Sequence, residues 1–188
     1  MCAPWTRSLA RGRRTESVIS SKSLTTELAH FFSDITGSTL QCMKVLLQRV
    51  SSASVEVDGQ TIGSIGRGLL LLVGFGKDDT AAALEPMAKK LINMRIFPDE
   101  RGRFHFSLLE TEGALLLVPQ FTLFADTDNG RRPEFFSALE PAQAEPLFLA
   151  FAETVKKLGI KEVATGRFGA HMQVKLENDG PVTIMVEG

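Results

Sequence analysis

Cysteine is nearly absent from this sequence of 188 residues, because only Cys2 and Cys42 occur and both lie within the first 42 positions. The remaining residues therefore offer no thiolate nucleophile, no disulfide framework and no cysteine zinc site. Histidine is also scarce, since residues 43–188 contain only His105 and His171. Each lies in a strand-like alternation that favours an exposed structural histidine, so neither a metal site nor a cofactor is expected.

Long hydrophobic runs are missing as well. The longest cover residues 68–75 and 114–119, whereas a membrane helix needs roughly 20 apolar residues. These runs predict short buried strands, and a membrane is not an expected partner. The Gly-x-Ser-x-Gly, Walker and His-Glu-x-x-His motifs do not occur. The glycine-rich stretch 63–68 precedes no helical pattern, so it predicts a bend between strands.

The first 42 residues differ in composition from the rest. They are rich in serine and threonine, and four of their five basic residues lie within the first fourteen positions. This composition suits an organellar transit peptide, and the alternative is an upstream start codon with Met43 as the true first residue. In both cases residues 1–42 are expected to be an extension outside the fold. The predicted location is cytoplasmic, or the mitochondrion or plastid if the extension is a transit peptide.

The charge balance limits the possible partners of residues 43–188. Of the 21 basic and 22 acidic side chains, 16 and 19 lie in this part, which gives it a formal net charge of −3. A mildly acidic surface argues against broad, sequence-independent binding of nucleic acid, and no DNA is required as a partner. It permits a small footprint, such as the end of one tRNA.

Strand-like patterns dominate residues 43–188. Asp58-Gly59 predicts a hairpin turn inside an antiparallel meander. A helical pattern follows residues 78–80, and Pro86 is expected to kink it or to move its start to about Glu85. A second helix is predicted to open at Pro141.

The end of the chain completes the predicted architecture. Gly159 is expected to stop the second helix, and residues 178–180 predict a turn between the last two strands. The whole pattern indicates an α+β fold. Residues 43–188 are expected to form a single domain with a curled, barrel-like, mostly antiparallel or mixed sheet and two main helices.

Two short segments carry a resemblance to a known family, namely Gln120-Phe121-Thr122-Leu123 and Asn178-Asp179-Gly180-Pro181-Val182-Thr183. Together with residues 46–55 and 165–168, they have the order and spacing found in the D-aminoacyl-tRNA deacylases. The resemblance extends from Met43 to the C-terminus. A single tetrapeptide would be weak support, but the collinearity of both segments identifies residues 43–188 as a D-aminoacyl-tRNA deacylase domain by resemblance.

The resemblance implies a homodimeric hydrolase that cleaves the ester between a D-amino acid, or glycine, and the 3′ adenosine of tRNA. This activity is chiral proofreading in translation. It further implies an active site at the dimer interface, where Gly180 and Pro181 of one subunit enter the pocket of the other with a cis peptide bond. Two backbone carbonyls would hold the α-ammonium group, and the wrong hand of amino acid would then clash with backbone. Without the resemblance, Gly180-Pro181 predicts an ordinary turn.

The resemblance also assigns roles to individual residues. Arg49 corresponds to an arginine that braces the Gly-Pro carbonyls, although an exposed strand residue is the simpler interpretation. Gln120, Phe121 and Thr122 would line the pocket floor, where backbone N–H groups can stabilise the oxyanion of ester hydrolysis. Thr122 is expected to position the substrate and not to act as nucleophile, because no base neighbours it in sequence. The family assigns most of the chemistry to the 2′-hydroxyl of the tRNA.

The last two assignments concern the edges of this pocket. Phe168 would stack on the terminal adenine, while a core phenylalanine is the alternative. Pro119 departs from the family pattern, which has serine before Gln-Phe-Thr-Leu, and proline removes both a backbone donor and a hydroxyl. A sibling branch that removes L-alanine from mischarged threonine tRNA also has Pro-Gln but lacks Phe121. Pro119 therefore leaves that activity open as an alternative, beside a non-catalytic RNA-binding module.

Overall fold

A computed structural model describes residues 42–128 and 130–188. The prediction that residues 1–42 form an extension outside the fold concerns residues that, apart from Cys42, are not among those described. The described strands are β1 (Lys44–Val57), β2 (Gln60–Ile65), β3 (Gly68–Gly74), β4 (Phe97–Pro98), β5 (Phe104–Phe106), β6 (Ala114–Pro119), β7 (Val163–Thr165) and β8 (Gln173–Glu187). The α-helices are α1 (Leu84–Ile92) and α2 (Pro141–Lys157), and the 3-10 helices are Ala81–Ala83 and Phe121–Phe124. None of the described helices is long and apolar enough to cross a bilayer.

The main sheet is organised around β1. One edge of β1 pairs antiparallel with β8, and the other edge pairs antiparallel with β3 along its first half and with β2 along its second half. β6 adds to β3 and β7 adds to β6, both in parallel. The free side of β2 approaches β7, because a Cβ on Gly63 would lie 3.1 Å from the carbonyl oxygen of Thr165. The sheet is therefore mixed and nearly closed, as the sequence predicts.

The two leucine-rich strands are buried on both faces. Leu69 and Leu71 of β3 face a large core that β3 shares with both helices, whereas Leu70 faces a smaller core inside the curl of the sheet. β6 repeats this arrangement with Leu115 and Leu116. Side chains alternate between the two faces of a strand, so a strand between two cores needs an apolar residue at every position. This explains why both runs are continuous instead of alternating.

Both helices begin close to the predicted places, and the second one ends close to its predicted stop. α1 starts at Leu84 after the 3-10 turn Ala81–Ala83, so Pro86 lies in its first turn, where the missing N–H removes no intrahelical hydrogen bond. α2 starts at Pro141 as predicted. Gly159 follows its end with φ +106°, a backbone conformation that favours glycine. The prediction of an α+β fold with two main helices is confirmed.

The predicted turn at residues 178–180 is wrong. The structure has one continuous strand, β8, and its pairing with β1 jumps from Gln48↔Thr183 to Val50↔Asn178. Four residues of β8, 179–182, thus lie opposite Arg49 alone, and they are called here the β8 bulge. Asn-Asp-Gly is a turn sequence, but the ladder with β1 resumes on both sides and keeps the chain direction. The extra residues are consequently pushed out of the sheet.

Candidate active site

The first signature segment forms one side of a pocket at the end of β3 and β6. The pocket has a volume of about 560 Å³ and a largely apolar wall. Four of the residues predicted for the site line it, namely Pro119, Gln120, Phe121 and Phe168. Further lining residues, which the sequence did not indicate, include Phe135, Ala138, Leu139, Glu140, His171 and Met172. This cavity is called here the aromatic pocket.

Main-chain contacts fix the pocket floor. Pro119 is the last residue of β6, and the amide of Gln120 donates to the carbonyl oxygen of Val73 at 2.7 Å. Gly74 lets the two chains approach, since a Cβ at this position would lie 2.8 Å from the carbonyl oxygen of Gln120. The Gln120 amide is therefore occupied and Pro119 has no N–H.

The next two amides differ from that of Gln120. Phe121 and Thr122 open the 3-10 helix Phe121–Phe124, and the first N–H groups of a helix have no intrahelical acceptor. These two amides are consequently the main-chain donors of this segment that a ligand oxyanion can use.

Two aromatic rings line the opening of the pocket. Phe121 is 57% exposed and meets Phe135 edge to face, with 5.0 Å between the ring centroids. Nothing in the sequence pairs these two residues, because they are brought together only by the loop after β6. Phe168 is half-buried, packs against the large core and also lines the pocket. For Phe168, a position in the core and a contact with a ligand in the pocket are therefore compatible.

Thr122 lies at the margin of the pocket and is not one of its lining residues. Its side chain is exposed, and its hydroxyl accepts a hydrogen bond from the side-chain amide of Gln120. Within residues 42–128 and 130–188 the Thr122 hydroxyl forms no hydrogen bond with a histidine, lysine or carboxylate side chain. A hydroxyl without a neighbouring base is a weak nucleophile, so this environment favours positioning over covalent catalysis.

Arg49 holds the base of the β8 bulge. It is only 5% exposed, so the interpretation as an exposed strand residue is wrong. Its Nε donates to the carbonyl oxygen of Asp179 at 3.0 Å and lies 3.1 Å from the Asp179 carboxylate. The guanidinium also donates to the carbonyl oxygen of Ile96 and lies over the ring of Phe104. In the bulge, Arg49 thus donates to the carbonyl group of Asp179, which directly precedes Gly180.

Asn178 closes the bulge from the other side. Its Oδ1 accepts from the amide of Val182 at 2.9 Å, and its Nδ2 donates to the carbonyl oxygen of Val182 and to the hydroxyl of Thr183, both at 3.2 Å. The side chain supplies the partners that Val182 loses where the ladder is interrupted. Gly180 and Pro181, between these anchors, are exposed, and the peptide bond between them is cis. Gly180 has φ +142°, which favours glycine.

The predicted site residues therefore fall into two groups within one chain. Four line the aromatic pocket and Thr122 follows them in sequence, whereas Gly180 and Pro181 belong to the β8 bulge, Arg49 of β1 holds that bulge, and none of these three lines the pocket. The sequence had marked Asn178 as part of a signature without giving it a role. Across the described residues, no three histidine, cysteine, aspartate or glutamate side chains group closely enough to hold a metal ion.

A half-buried carboxylate anchors the outer edge of the pocket. Asp79 accepts hydrogen bonds from the amides of Gly76 and Met43, at 2.7 and 2.9 Å. Gly76 in turn bridges to Ala138, a lining residue. Burial raises the pKa of Asp79 above its ordinary value of 3.8, although the two backbone hydrogen bonds act in the opposite direction.

Comparison with known proteins shows the family to which the chain belongs. The profile of the family described as D-Tyr-tRNA(Tyr) deacylase matches residues 46–187, which include both the pocket segment and the bulge. The chain belongs to this family. A D-aminoacyl-tRNA deacylase of Roseiflexus castenholzii is 55% identical over 145 residues, which cover 77% of this chain and 92% of that protein. One of Ectopseudomonas mendocina is 54% identical, with 77% and 99% covered.

Solved structures extend the family comparison to the fold. A chain described as c-Myc DNA Unwinding Element Binding Protein is 41% identical, with a TM-score of 0.73 over 77% of this chain and 98% of that one. Another, described as a probable eukaryotic D-amino acid tRNA deacylase, gives a TM-score of 0.70 over the same shares. Its identity of 22% supports the shared fold only.

Proposed function

We propose that this protein hydrolyses the ester bond of D-aminoacyl-tRNA and releases the free amino acid and the tRNA. The observation that carries the proposal is the aromatic pocket, because Pro119, Gln120 and Phe121, which lie within the part of the chain that matches the family, line this cavity. The pocket is largely apolar, and the rings of Phe121 and Phe135 line it, which suits the stacking of an adenine base.

The chemistry of the pocket follows from what its floor provides. In this proposal the amides of Phe121 and Thr122, which open the 3-10 helix and have no acceptor within it, stabilise the negative charge on the ester carbonyl oxygen in the tetrahedral intermediate. Thr122 orients Gln120 through their hydrogen bond and does not attack the ester. Water attacks the ester carbon, the bond to the 3′-oxygen of the tRNA breaks, and the tRNA's own 2′-hydroxyl beside the ester relays the water's proton to that oxygen. Phe168 stacks on the terminal adenine.

We further propose that the protein acts as a homodimer in which the β8 bulge of one subunit enters the aromatic pocket of the other. Gly180 and Pro181 are exposed at the tip of the bulge and lie outside the pocket of their own chain. Their backbone carbonyls are candidates to accept the α-ammonium group of the substrate. A fixed ammonium and a fixed ester leave room for the side chain of only one enantiomer. Glycine is accepted because it has no side chain.

Charged tRNA substrates test the reaction and its stereochemistry together. The purified protein should deacylate D-Tyr-tRNA at least about 100-fold faster than L-Tyr-tRNA, since each increase of about 1.4 kcal/mol in the activation free energy lowers the rate tenfold. Gly-tRNA should also be cleaved. Equal rates on both enantiomers would remove the chirality claim. Binding of tRNA without cleavage of any ester would instead favour a non-catalytic RNA-binding module.

Mixing two defective chains tests the shared active site. A Cβ on Gly180 would lie 2.8 Å from Cγ2 of Val182 and 3.0 Å from Nη2 of Arg49, so Gly180→Ala distorts the bulge. Phe121→Ala removes a ring of the pocket. Each variant alone should lose most activity, but their mixed dimer contains one site with an intact pocket and an intact bulge. Failure of co-expression to restore activity would contradict the exchange of the bulge between subunits.

Pro119 and Thr122 need their own measurements. Pro119 lines the pocket, so deacylation of L-Ala-tRNA(Thr) by the purified protein tests the sibling activity. Absence of cleavage would exclude that activity. Thr122→Ala should keep measurable deacylation of D-Tyr-tRNA, because its hydroxyl contacts only Gln120 among the described side chains. Complete loss of turnover in a folded Thr122→Ala variant would identify a protein nucleophile instead.

A further inference from the structure

Phe136 is the most exposed large hydrophobic side chain in the part of the chain that the structure describes, with 75% of its surface open to solvent. Single exposed apolar residues are common and mean little by themselves. Leu149 on α2, which is 56% exposed, is an example. What distinguishes Phe136 is the rigidity of its backbone and its position beside the aromatic pocket.

Hydrogen bonds on both sides fix the backbone of Phe136. The carbonyl oxygen of Ser137 accepts from the amide of Lys77 at 3.2 Å, and the amide of Ala138 donates to the carbonyl oxygen of Phe135 at 3.0 Å. The next residue, Leu139, donates to the carbonyl oxygen of Phe75 at 2.9 Å. The ring therefore projects from a segment tied to the end of β3. A ligand that contacts it has to order only one side chain, which keeps the entropic cost of binding low.

The same segment forms the rim of the aromatic pocket. Phe135, just before Phe136, lines the pocket and packs against Phe121, and Ala138 and Leu139 line it further along. Phe136 itself is not a lining residue, so its ring lies outside the cavity among residues that form the wall. A polymer whose terminal group fills the pocket has to leave it across such a rim.

We propose that Phe136 stacks on the base of the nucleotide that precedes the terminal adenosine of the tRNA. This second nucleotide subsite rests on the proposed function, since it takes the adenosine to occupy the aromatic pocket. Unpaired RNA bases bind proteins by stacking on exposed aromatic rings, and every base offers a flat face for it. The subsite therefore recognises a single-stranded 3′ end by its shape and not by its sequence.

The charges near Phe136 indicate stacking and not phosphate binding as the source of affinity. Arg131 and Arg132 are exposed in the same segment, but so are Glu134 and Glu140. Opposite charges in equal number give little net attraction for phosphates. The contribution of Phe136 should consequently be independent of salt, in contrast to a contact that releases counterions.

Binding of uncharged RNA tests the proposal without requiring hydrolysis. The probe is a fluorescently labelled single-stranded RNA that ends in CCA, and its affinity is measured by anisotropy. Phe136→Ala should weaken binding by about tenfold, at low and at high salt alike, while Phe136→Trp should retain it. Leu149→Ala is the matched control, because it removes another exposed hydrophobic side chain and should leave the affinity unchanged.

Adenosine 5′-monophosphate separates the subsite from the pocket. Its affinity should change by less than about twofold in Phe136→Ala, since it does not reach the rim. The proposal is overturned if wild type does not bind the RNA, or if both ligands weaken equally. A change in the molar mass of the Phe136→Ala protein in solution also overturns the proposal, because Phe136 would then lie between two copies of the chain. Wild type that binds RNA through Phe136 but cleaves no charged tRNA refutes the proposed function alone.

Discussion

The aromatic pocket and the β8 bulge are held in place by different interactions. The pocket floor follows two leucine-rich strands and is fixed by close packing against Gly74 and by main-chain contacts of Gln120. The bulge interrupts the β1–β8 ladder and is fixed by the side chains of Arg49 and Asn178. A loop outside the ladder has lost its regular hydrogen bonds, so polar side chains have to replace them. Substitution of a polar side chain should therefore cost little stability at the pocket floor and much stability at the bulge.

The largest effect is expected from Arg49→Met. The substitution keeps a long side chain but leaves the carbonyl oxygens of Ile96 and Asp179 without their donor. Unsatisfied acceptors in a buried place cost about 1–3 kcal/mol each, so the free energy of unfolding should fall by roughly 2–4 kcal/mol. Chemical denaturation at a fixed protein concentration measures it.

Arg101→Met is the control for Arg49→Met, because Arg101 is exposed. It should change the stability by no more than about 0.5 kcal/mol. Equal effects of the two variants would mean that the bulge does not depend on its buried guanidinium.

A smaller loss is expected from Gly74→Ala on the pocket side. The new Cβ would lie 2.8 Å from the carbonyl oxygen of Gln120 and 3.1 Å from the ring of Phe124, so strand and floor must move apart. Overpacking of this kind costs about 1–3 kcal/mol. Gly66→Ala has no atom within 4 Å of its Cβ and should be neutral or slightly stabilising. Thermal unfolding of both variants gives the comparison, and similar midpoints would refute the packing argument.

Asn178→Asp should have a still smaller effect. Aspartate keeps the acceptor for the amide of Val182 but loses the donor to its carbonyl oxygen and to Thr183. We expect a loss of about 1–2 kcal/mol, together with reduced deacylation, because the tip of the bulge is no longer held. Thr183→Val removes a hydroxyl that accepts two exposed hydrogen bonds, from Asn178 and from Gln48, but it keeps both contacts between Asn178 and Val182 and should cost less. If Thr183→Val is as harmful as Asn178→Asp, the side chain of Asn178 does not close the bulge.

The same two regions differ in how far the sequence predicts them. The pocket strands were predictable, because a continuous leucine run between turn signals indicates a strand buried on both faces. Asn178-Asp179-Gly180 instead predicts a turn, since local propensity carries no information about the pairing with β1 on both sides. The burial of Arg49 was missed for the same reason: its partners, Ile96 and Asp179, are distant in sequence. Resemblance to the family located both regions and linked Arg49 to the Gly-Pro segment, but it did not identify the carbonyl oxygens of Ile96 and Asp179 as its partners.

The smallest effect concerns Asp79, whose carboxylate anchors the outer edge of the pocket. Burial raises its pKa in the folded protein above the ordinary value of 3.8, so the folded state binds this proton more tightly than the unfolded state. The stabilisation is complete below 3.8 and is lost as the pH rises through the folded pKa. The stability of wild type relative to Asp79→Asn should therefore decrease with rising pH. Because Asp79 is half-exposed, we expect a change of less than about 0.5 kcal/mol.

Denaturation curves for wild type and Asp79→Asn, from acidic to neutral pH, measure the difference in stability. A difference that stays constant or increases would mean that the two amide hydrogen bonds outweigh burial, and that charge as well as packing holds the edge of the pocket.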